Sequence, residues 1–487
     1  MPFYKKIGER LIETGLISEE QLKIALDEQK KTGELIGAIL FSKGFISQQD
    51  LLKVLSMSHT GDTAEQKEEI DIPDDIEDIV RKSTTALRSE DRTAGTKVDV
   101  SLVPIVRLVE NIIFSAIDMG ATDIHIGPDT RGTRVRFRID GRLRHAMYLP
   151  KSLLSAIVSR VKIMGSMNIA ENRVPQDGGT MISRQNMKFD VRISTFPIVD
   201  GENIVMRLLN KSQLILGLEN LGFEKADIAT LNHSLSMPYG MILMSGPTGS
   251  GKTTTLYSAL SIINSVYKNI FTIEDPIEYH LPLIRQSQIN VKAGLTFASG
   301  LRSILRQDPD VILIGEMRDF ETAELAIRSS LTGHLVFSTL HTNDAASSLP
   351  RLIDMGIEPF LLASTVDTVI SQRLIRLLCD HCKEAYSPPT NFIEGSDIKI
   401  PDGAVFYRAK GCEKCNDSGY RGRTVIYEIM KMNQAIKELV INKASSDTIA
   451  AAAKKSGMRT MFDVGINKVI SGKTSLEEVL STTRTAS

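Results

Sequence analysis

A glycine-rich stretch, GPTGSGKTTT at 246–255, carries the residue types that bind the phosphates of a nucleotide. Glycines let backbone N–H groups curl around phosphate oxygens, and a helix N-terminus behind them adds favourable charge. In this arrangement Lys252 reaches the β- and γ-phosphates, and the Thr253 hydroxyl ligates Mg²⁺. A chance match in a Gly/Ser-rich loop is the alternative, but the apolar run MILMS precedes the stretch as a strand would. The residues that we predict to bind nucleotide are Gly246, Pro247, Thr248, Gly249, Ser250, Gly251, Lys252, Thr253 and Thr254.

Three glutamates are candidates for orienting the water that attacks the γ-phosphate. Glu316 ends the apolar run of DPDVILIGE, where a Walker B acid belongs, and it is our first catalytic candidate. Glu274 and Glu278, in FTIEDPIEY at 271–279, are rivals for the role of general base. Asp275 lies between them and could hold the waters of a metal ion. Alone, this segment could be a solvated acidic turn, but a phosphate loop in the same chain favours a function.

Two histidines flank the apolar run of TGHLVFSTLHTND at 332–344. A single histidine in a sheet is more often a packing or surface residue than a functional one. Two at the ends of one strand could sense the γ-phosphate, and His341 lies at the C-terminal end, where parallel sheets bind ligands. We predict a catalytic role for His341 and include His334 among the nucleotide-binding candidates.

Four arginines could bring positive charge to the nucleotide from outside the phosphate loop. Arg302 and Arg306 are four residues apart, so both lie on one face of a predicted helix. Arg192 and Arg207 lie on two predicted strands nearer the N-terminus. Solvated surface arginine is the usual alternative. A site that cleaves ATP between subunits needs such a cation, however, and an arginine finger raises the rate roughly 10³–10⁵-fold in other nucleotidases.

All four cysteines occur in two Cys-x-x-Cys pairs, CDHC and CEKC, with 29 residues between the pairs. Four thiolates at this spacing suit a tetrahedral Zn²⁺ site. A disulfide would need an oxidising compartment, which nothing else indicates, and a redox pair would not explain a second copy. The four thiolates leave no coordination position open for a substrate, so the predicted site would be structural. It would stabilise a subdomain at about 376–424. Its predicted ligands are Cys379, Cys382, Cys412 and Cys415.

The chain is nearly balanced in charge, since 58 Lys and Arg against 59 Asp and Glu give a net charge of −1. Without a basic excess, nucleic acid is not an expected partner. No run reaches the roughly 20 apolar residues that span a bilayer, and the start MPFYKKIGER lacks the apolar stretch of a secretory signal. We therefore expect a cytoplasmic protein, and any membrane role must come through a partner.

The N-terminal part of the chain contains an internal repeat. Residues 7–26 align without gaps on 36–55, which predicts a helical repeat module over 1–58. In each copy a serine, Ser18 or Ser47, is placed to begin a helix through a capping box. The acidic segment 59–98 predicts a linker, with a surface helix at 74–82 as the alternative.

The rest of the chain divides into two patterns. From 99 to 212, alternating strands such as TRVRFRIDG mix with one apolar helical segment, which predicts an α+β domain. From 213 to 487, apolar strands alternate with helices, as in MILMS, IFTIE, VILIGE and HLVFSTL. That alternation predicts a parallel sheet with helices on both faces, so the fold class is α/β.

With these motifs the chain resembles the ATPases of type II secretion and type IV pilus assembly, the GspE/PulE/PilB family. The motifs occur in order over about 100–487: GATDIHI, RFRIDG, RVPQDGG, GENIVMRLL, the phosphate loop, EDPIE, LRSILRQDPDVILIGEMRD, TGHLVFSTLHTNDA and the paired cysteines. The resemblance implies a RecA-like motor domain preceded by a PAS-like domain, with ATP bound between them and six chains in a ring. It also places four residues among the arginines that contact phosphate or bridge domains: Arg192, Arg207, Arg302 and Arg306.

The resemblance also bears on the pathway and on residues 1–58. Assembly and secretion ATPases typically carry the paired cysteines, whereas retraction ATPases typically do not, which favours work that adds subunits. The repeat is similar to tandem motifs that bind cyclic di-GMP in some members, but Leu35 and Ser58 stand where that pattern has arginine and glutamine. We favour a docking module for a membrane recruiter over a cyclic di-GMP site.

Together these features predict a hexameric, Mg²⁺-dependent ATPase. Hydrolysis would change the angle between the 99–212 domain and the motor domain, and the ring would pass that motion to an inner-membrane platform protein (GspF/PilC-like). That protein would lift pilin or pseudopilin subunits into a filament. Two other hypotheses remain at this point: a scaffold that binds ATP with little turnover, and a nucleic-acid translocase, against which the balanced charge argues.

Overall fold

The computed structural model describes residues 75–90, 103–210, 217–387 and 404–483, with a few positions in the first 58. Among those few, the amide of Gln21 donates to Ser18 Oγ at 3.2 Å, and the amide of Ser18 donates to Gln21 Oε1 at 2.8 Å. This reciprocal pair is the capping box predicted for the first repeat. Its counterpart at Ser47, and the repeat module as a whole, lie outside the described residues.

A helix occupies part of the segment that the sequence predicts to be a linker. Helix α1 (Asp75–Glu90) is longer than the alternative at 74–82. Ile79 and Val80 pack against the core of the domain that follows, and Ser83 is buried. One narrow apolar stripe is therefore enough to hold the helix against the core of that domain. The linker prediction is wrong for these residues.

The middle domain pairs one antiparallel sheet with two further helices on one face. The strand order is β3-β2-β1-β6-β5-β4, and every neighbouring pair is antiparallel. Apolar side chains such as Ile124, Phe137 and Val191 alternate onto the buried face. This is the predicted α+β domain. Its elements are α2 (Val103–Asp118), β1 (Ala121–Asp129), β2 (Gly132–Ile139), β3 (Arg142–Leu149), α3 (Leu154–Met164), β4 (Gln176–Arg184), β5 (Met187–Ile198) and β6 (Gly201–Asn210).

The motor domain is built on a seven-stranded sheet of order β15-β12-β7-β11-β10-β8-β9. All neighbours are parallel except β15, which runs antiparallel to β12. Its strands and the small pair β13–β14 are β7 (Gly240–Ser245), β8 (Ile270–Glu274), β9 (Arg285–Gln288), β10 (Val311–Ile314), β11 (Leu335–Leu340), β12 (Val366–Leu378), β13 (Glu384–Tyr386), β14 (Phe406–Arg408) and β15 (Tyr420–Lys431).

Helices cover both faces of this sheet. Alternate residues of β7 enter two separate cores: Ile242 packs into one and Leu243 into the other. The helices of the motor domain are α4 (Leu218–Leu221), α5 (Lys225–Leu235), α6 (Lys252–Ile263), α7 (Phe297–Ile304), α8 (Phe320–Leu331), α9 (Ser348–Asp354), α10 (Pro359–Thr365), α11 (Gln434–Ile441), α12 (Ser446–Lys455), α13 (Met461–Ile470) and α14 (Leu476–Thr483). The parallel sheet between helices confirms the predicted α/β class. Within the described part of the chain, no helix has the length and apolar character to cross a membrane.

Candidate nucleotide site and cysteine cluster

The phosphate loop joins the end of β7 to the start of α6, as the sequence predicts. Gly246, Gly249 and Gly251 have φ values of 138°, 78° and 87°, a region that favours glycine. A Cβ on Gly246 would lie 2.5 Å from the carbonyl oxygen of Gln372, so no side chain fits there. The loop thus needs these glycines both for its turn and for its close approach to a neighbouring strand.

Gln372, which the sequence did not single out, fastens the loop to β12. Its side-chain amide donates to the carbonyl of Ser250 at 2.8 Å and accepts from the Thr255 hydroxyl at 2.9 Å. Gln372 is fully buried, so both bonds lie in a water-free interior. The two partners are more than 110 residues away along the chain, and no local motif could have identified this contact.

Lys252 lies against the loop that precedes it. Its ammonium donates to the carbonyls of Gly246 at 2.6 Å and Pro247 at 3.1 Å. Burial lowers the pKa of Lys252, and the carboxylate of Glu316 opposes that shift. The ammonium has three N–H donors, so a bound phosphate group would compete with these two carbonyls for them.

Glu316 lies two residues past the end of β10, and its carboxylate faces a guanidinium group and an imidazole ring. Arg318 Nη2 lies 2.7 Å from Oε1, and His341 Nε2 lies 3.4 Å from Oε2. The structure therefore brings the first catalytic candidate and the predicted histidine together. Arg318 was missed by the sequence analysis, although it is only two residues from Glu316 in GEMRD.

His341 and His334 lie at opposite ends of β11. Leu340 pairs with Ser245 in the register of β11 and β7, so His341 follows the strand on the phosphate-loop side. His334 precedes the strand, where Nδ1 lies 2.8 Å from the carbonyl of Ser329. A six-residue strand spans about 20 Å, so His334 is remote from the phosphate loop of its own chain, and its role in nucleotide binding stays a prediction.

Glu274, one of the rivals for the general base, is enclosed by hydrogen-bond donors. It is buried, and Oε2 accepts from the Tyr257 hydroxyl at 2.5 Å while Oε1 accepts from the Thr272 hydroxyl at 2.5 Å. Gln286 Nε2 also donates to Oε1, at 3.3 Å. Both oxygens are thus occupied by the protein itself. Asp275, the next residue, is exposed.

Glu278, the other rival, contacts the middle domain. Arg192 Nη2 lies 3.4 Å from Glu278 Oε2 and donates to the carbonyl of Ile277 at 3.1 Å. Arg207 lies directly opposite Arg192 on the neighbouring strand, and its Nε donates to Asp123 Oδ1 at 3.0 Å. The structure therefore brings Arg192 to the acidic loop and leaves Arg207 beside it on the sheet.

Arg302 and Arg306 lie on and just beyond α7, and their contacts are local. Arg302 pairs with Glu321 of α8. Arg306 donates to the carbonyl of Arg302 at 2.9 Å and to Ser303 Oγ at 3.1 Å. These contacts place both guanidinium groups at the surface of the α7–α8 layer.

The four cysteines converge in one cluster, with all Sγ atoms within 4.8 Å of one another. The three pairs Cys379–Cys412, Cys382–Cys415 and Cys412–Cys415 have Sγ separations of 3.9, 3.8 and 3.7 Å. Four thiolates at 2.3 Å from a tetrahedral Zn²⁺ would be about 3.8 Å apart. The amides of Cys412 and Gly419 also donate to Cys415 Sγ, at 3.3 and 3.2 Å. The donor set and its spacing fit zinc.

The turn after the last cysteine receives a hairpin of the middle domain. Arg144 on β3 donates to the main-chain carbonyl of Asn416. At the tip of the same hairpin, Asp140 Oδ2 accepts from the amide of Gly422 at 3.0 Å. The β2–β3 hairpin is thereby held against the cysteine subdomain of the same chain.

Comparison with known proteins assigns the chain to a family. The profile of the type II/IV secretion system proteins matches residues 99–481, which is most of the chain. The chain belongs to this family. Among type II/IV secretion system proteins, it is 39% identical over 562 aligned positions to the type IV pilus assembly ATPase PilB of Myxococcus xanthus, with 98% of this chain and 99% of that protein covered. It is 46% identical over 383 positions to the type II secretion system protein E of Pseudomonas aeruginosa, covering 78% of this chain and 76% of that one.

Solved structures support the same fold. The pilus retraction motor PilT, in a crystal structure with bound ADP, superposes with a TM-score of 0.51 at 27% identity. The superposition covers 77% of this chain and 96% of that one. The arrangement of a RecA-like motor domain behind a smaller α+β domain is therefore that of the family.

Proposed function

We propose that this chain is an ATPase that converts ATP and water to ADP and phosphate and so drives the assembly of pilin or pseudopilin filaments. The observation that carries the proposal is the placement of Glu316 and His341. His341 follows β11, the neighbour of β7, and Glu316 follows β10, the next strand along, both on the side where the phosphate loop begins. Open parallel sheets bind their ligands at this edge.

In the proposed reaction, the amides of the phosphate loop and Lys252 hold the phosphates. Gln372 stabilises the conformation of the loop through its hydrogen bond to the carbonyl of Ser250. Glu316 orients the attacking water, and His341 and Arg318 hold its carboxylate in place. The Thr253 hydroxyl would hold Mg²⁺, which would offset the charge of the phosphate oxygens. Glu274 fixes the strand end instead of acting as the base, since both of its oxygens accept internal hydrogen bonds.

We propose a ring of six such chains, in which the middle domain moves relative to the motor domain during the ATP cycle. Arg192 is the support for this step within one chain, because it reaches Glu278 across the domain boundary. Arg207, Arg302 and Arg306 are exposed, as residues that meet a nucleotide or another subunit would be. The zinc ion that the four cysteines fit would be structural, since four thiolates leave no position open.

The partners in this proposal are an inner-membrane platform protein, which receives the motion, and a membrane recruiter that docks on residues 1–58. Through them the chain would act at the inner membrane. The names of its relatives include both a pilus assembly ATPase and a type II secretion protein, so either filament is compatible with the sequence. Cyclic di-GMP binding by residues 1–58 is the second role to test, with the isolated nucleotide as probe.

The enzymatic claim is tested by steady-state phosphate release from the wild type, Lys252→Ala and Glu316→Gln. Both variants should lose at least roughly a hundredfold in turnover, and Glu316→Gln should still bind ATP. Lys225→Ala removes an exposed lysine of α5 and should keep the wild-type rate. Equal turnover in the wild type and both site variants would contradict the proposal. Tight ATP binding with single-turnover chemistry and no steady state would indicate a scaffold instead.

A further inference from the structure

One buried hydroxyl connects the phosphate-loop helix to the acidic loop that touches the middle domain. Tyr257 lies on α6, five residues after Lys252, and only 1% of it is exposed. Its hydroxyl donates to Glu274 Oε2 at 2.5 Å and accepts from the amide of Glu278 at 3.3 Å. A third bond comes from Gln286 Nε2, at 3.4 Å, on the edge strand β9. Four separate elements thus meet at one oxygen atom.

A second tyrosine strengthens the same connection. The ring of Tyr279 packs edge-on against that of Tyr257, with 5.1 Å between ring centres. Burial raises the pKa of Tyr279, and the side chain of Thr254, the last residue of the predicted phosphate-binding set, is close enough to oppose that shift. The segment from Glu274 to Tyr279 therefore contacts α6 at two points, one turn of helix apart.

The far side of this segment carries the contact with the middle domain. Glu278, whose amide donates to the Tyr257 hydroxyl, presents its carboxylate to Arg192. A displacement of α6 would therefore move Glu278 through the hydroxyl of Tyr257 and change its distance to Arg192. Hydrogen bonds and packed rings form a continuous path over this short span, so no long-range coupling is required.

We propose that Tyr257 is a positioning residue, which transmits the state of the phosphate loop to the Glu278–Arg192 contact between the two domains. The inference rests on the proposed ATPase function, and it names the group that links the site to the moving domain. Burial and the neighbouring Glu274 carboxylate raise the pKa of Tyr257. Its proton is thus retained at neutral pH and remains available to Glu274.

A matched control elsewhere in the same domain distinguishes the proposed role of Tyr257 from a purely structural one. Tyr427 is equally buried, with 1% exposed. Its hydroxyl donates to Asp227 Oδ2 at 2.6 Å and accepts from the amide of Glu224 at 2.9 Å. The two tyrosines therefore lose the same kinds of bond when each is replaced by phenylalanine, but Tyr427 contacts none of the predicted site residues in these bonds.

The experiment compares Tyr257→Phe and Tyr427→Phe in the full-length chain, by thermal unfolding and by ATP turnover. Both variants should lower Tm to a similar extent. Tyr257→Phe should reduce kcat on the order of tenfold and leave the KM for ATP within about twofold. Tyr427→Phe should keep kcat within about twofold of wild type. Similar kcat values for the two variants would overturn the proposal.

A double-mutant cycle with Arg192→Ala tests the route. If Tyr257 acts through Arg192, the double variant should be no slower than Arg192→Ala alone. If the fold-losses in kcat of the two single variants multiply in the double variant, the route through Arg192 is contradicted. If Tyr257→Phe fails to fold, Tyr279→Phe removes the neighbouring hydroxyl beside Thr254 and should show the same fall in kcat. A wild-type chain without turnover would refute the ATPase proposal itself, whereas an active wild type with an unaffected Tyr257→Phe would refute only this inference.

Discussion

The guanidinium group of Arg192 lies 3.4 Å from the carboxylate of Glu278, so an ion pair joins the middle domain to the acidic loop of the motor domain. About 30% of each side chain is exposed, at 31% for Arg192 and 28% for Glu278. Ion pairs that face water contribute only about 0–1 kcal/mol to stability. A contact of this strength can break and form again in each cycle, which suits a joint that moves.

Replacing Arg192 with alanine should separate activity from stability. The free energy of unfolding should change by less than about 1 kcal/mol, because the ion pair is partly solvated. ATP turnover should fall at least about tenfold, because the positive charge beside the acidic loop is lost. Chemical denaturation and phosphate release measure the two quantities on the same preparation.

Arg184 provides the control for this change. It lies on β4 of the same sheet and pairs with Asp118 at 2.8 Å, with 35% and 41% of the two side chains exposed. Arg184→Ala should have a similar effect on stability and little effect on turnover. A wild-type rate for Arg192→Ala, or an equal loss in both variants, would remove Arg192 from the mechanism.

Glutamine substitutions at Glu274 and Glu316 should have opposite consequences. Glu274→Gln places an amide N–H₂ group among donors and should lower the free energy of unfolding by about 1–3 kcal/mol. Glu316→Gln should leave stability nearly unchanged and abolish turnover, since the attacking water loses its base. Rates are compared per folded molecule, from urea titration of each variant. A stable, inactive Glu274→Gln would make Glu274 the general base.

Removal of zinc should weaken both the cysteine subdomain and the hairpin docked on it. Metal analysis should find about one zinc per chain, since four thiolates complete one tetrahedral site. Chelation should lower Tm and increase hydrogen exchange at the amide of Gly422, which donates to Asp140 Oδ2, because Cys412 and Cys415 hold the turn that precedes this contact. Unchanged Tm and exchange after complete metal removal would contradict a structural role for the metal.

Lys468 should make the stability of the motor domain depend on alkaline pH. Burial is the main cause that lowers the pKa of Lys468 from 10.5 to about 8; Lys473 and Arg459 act in the same direction, and Glu224 opposes them. Its ammonium donates to the carbonyl of Gly222 at 2.6 Å. Between pH 8 and the ordinary lysine value, the unfolded chain therefore binds more protons than the folded chain, and stability rises with pH.

The comparison with Lys468→Met isolates this group from the other residues that titrate above pH 8. The difference in unfolding free energy, wild type minus variant, should increase by at most about 3 kcal/mol from about pH 7 to pH 10.5. It should level off above the unfolded pKa and fall as the pH drops through 8. A difference that stays constant over this range would show that Lys468 titrates normally in the folded protein.

Regular apolar patterns made most of the fold predictable. The runs MILMS, IFTIE, VILIGE and HLVFSTL correspond to β7, β8, β10 and β11, because strands buried on both faces are apolar throughout. The edge strand β9 was not predicted, since Arg285–Gln288 is polar and pairs on one side only. The order of the strands depends on contacts between distant segments, and the sequence pattern does not contain it.

The residues of the candidate site also fall into two groups, those that the sequence predicted and those that it did not. The phosphate loop and the cysteine pairs are short motifs. Their residue types and spacing indicate what they bind, so each of their residues could be predicted from the sequence. Gln372 and Tyr257 act through contacts with partners that lie on other elements, and neither has a local signature. His334 precedes β11, at the end of the strand away from the phosphate loop of its own chain, and its role in nucleotide binding stays a prediction.

The hydrogen bond from Arg144 has a consequence for how this family can diverge. Its acceptor is the main-chain oxygen of Asn416, a residue with φ of 47°. Selection at this position therefore acts on backbone conformation and not on side-chain chemistry. Glycine or aspartate could replace Asn416 during evolution with the hairpin still docked, whereas valine or isoleucine would undock it without deleting any polar partner. Relatives could thus keep this hydrogen bond even where position 416 carries a different side chain.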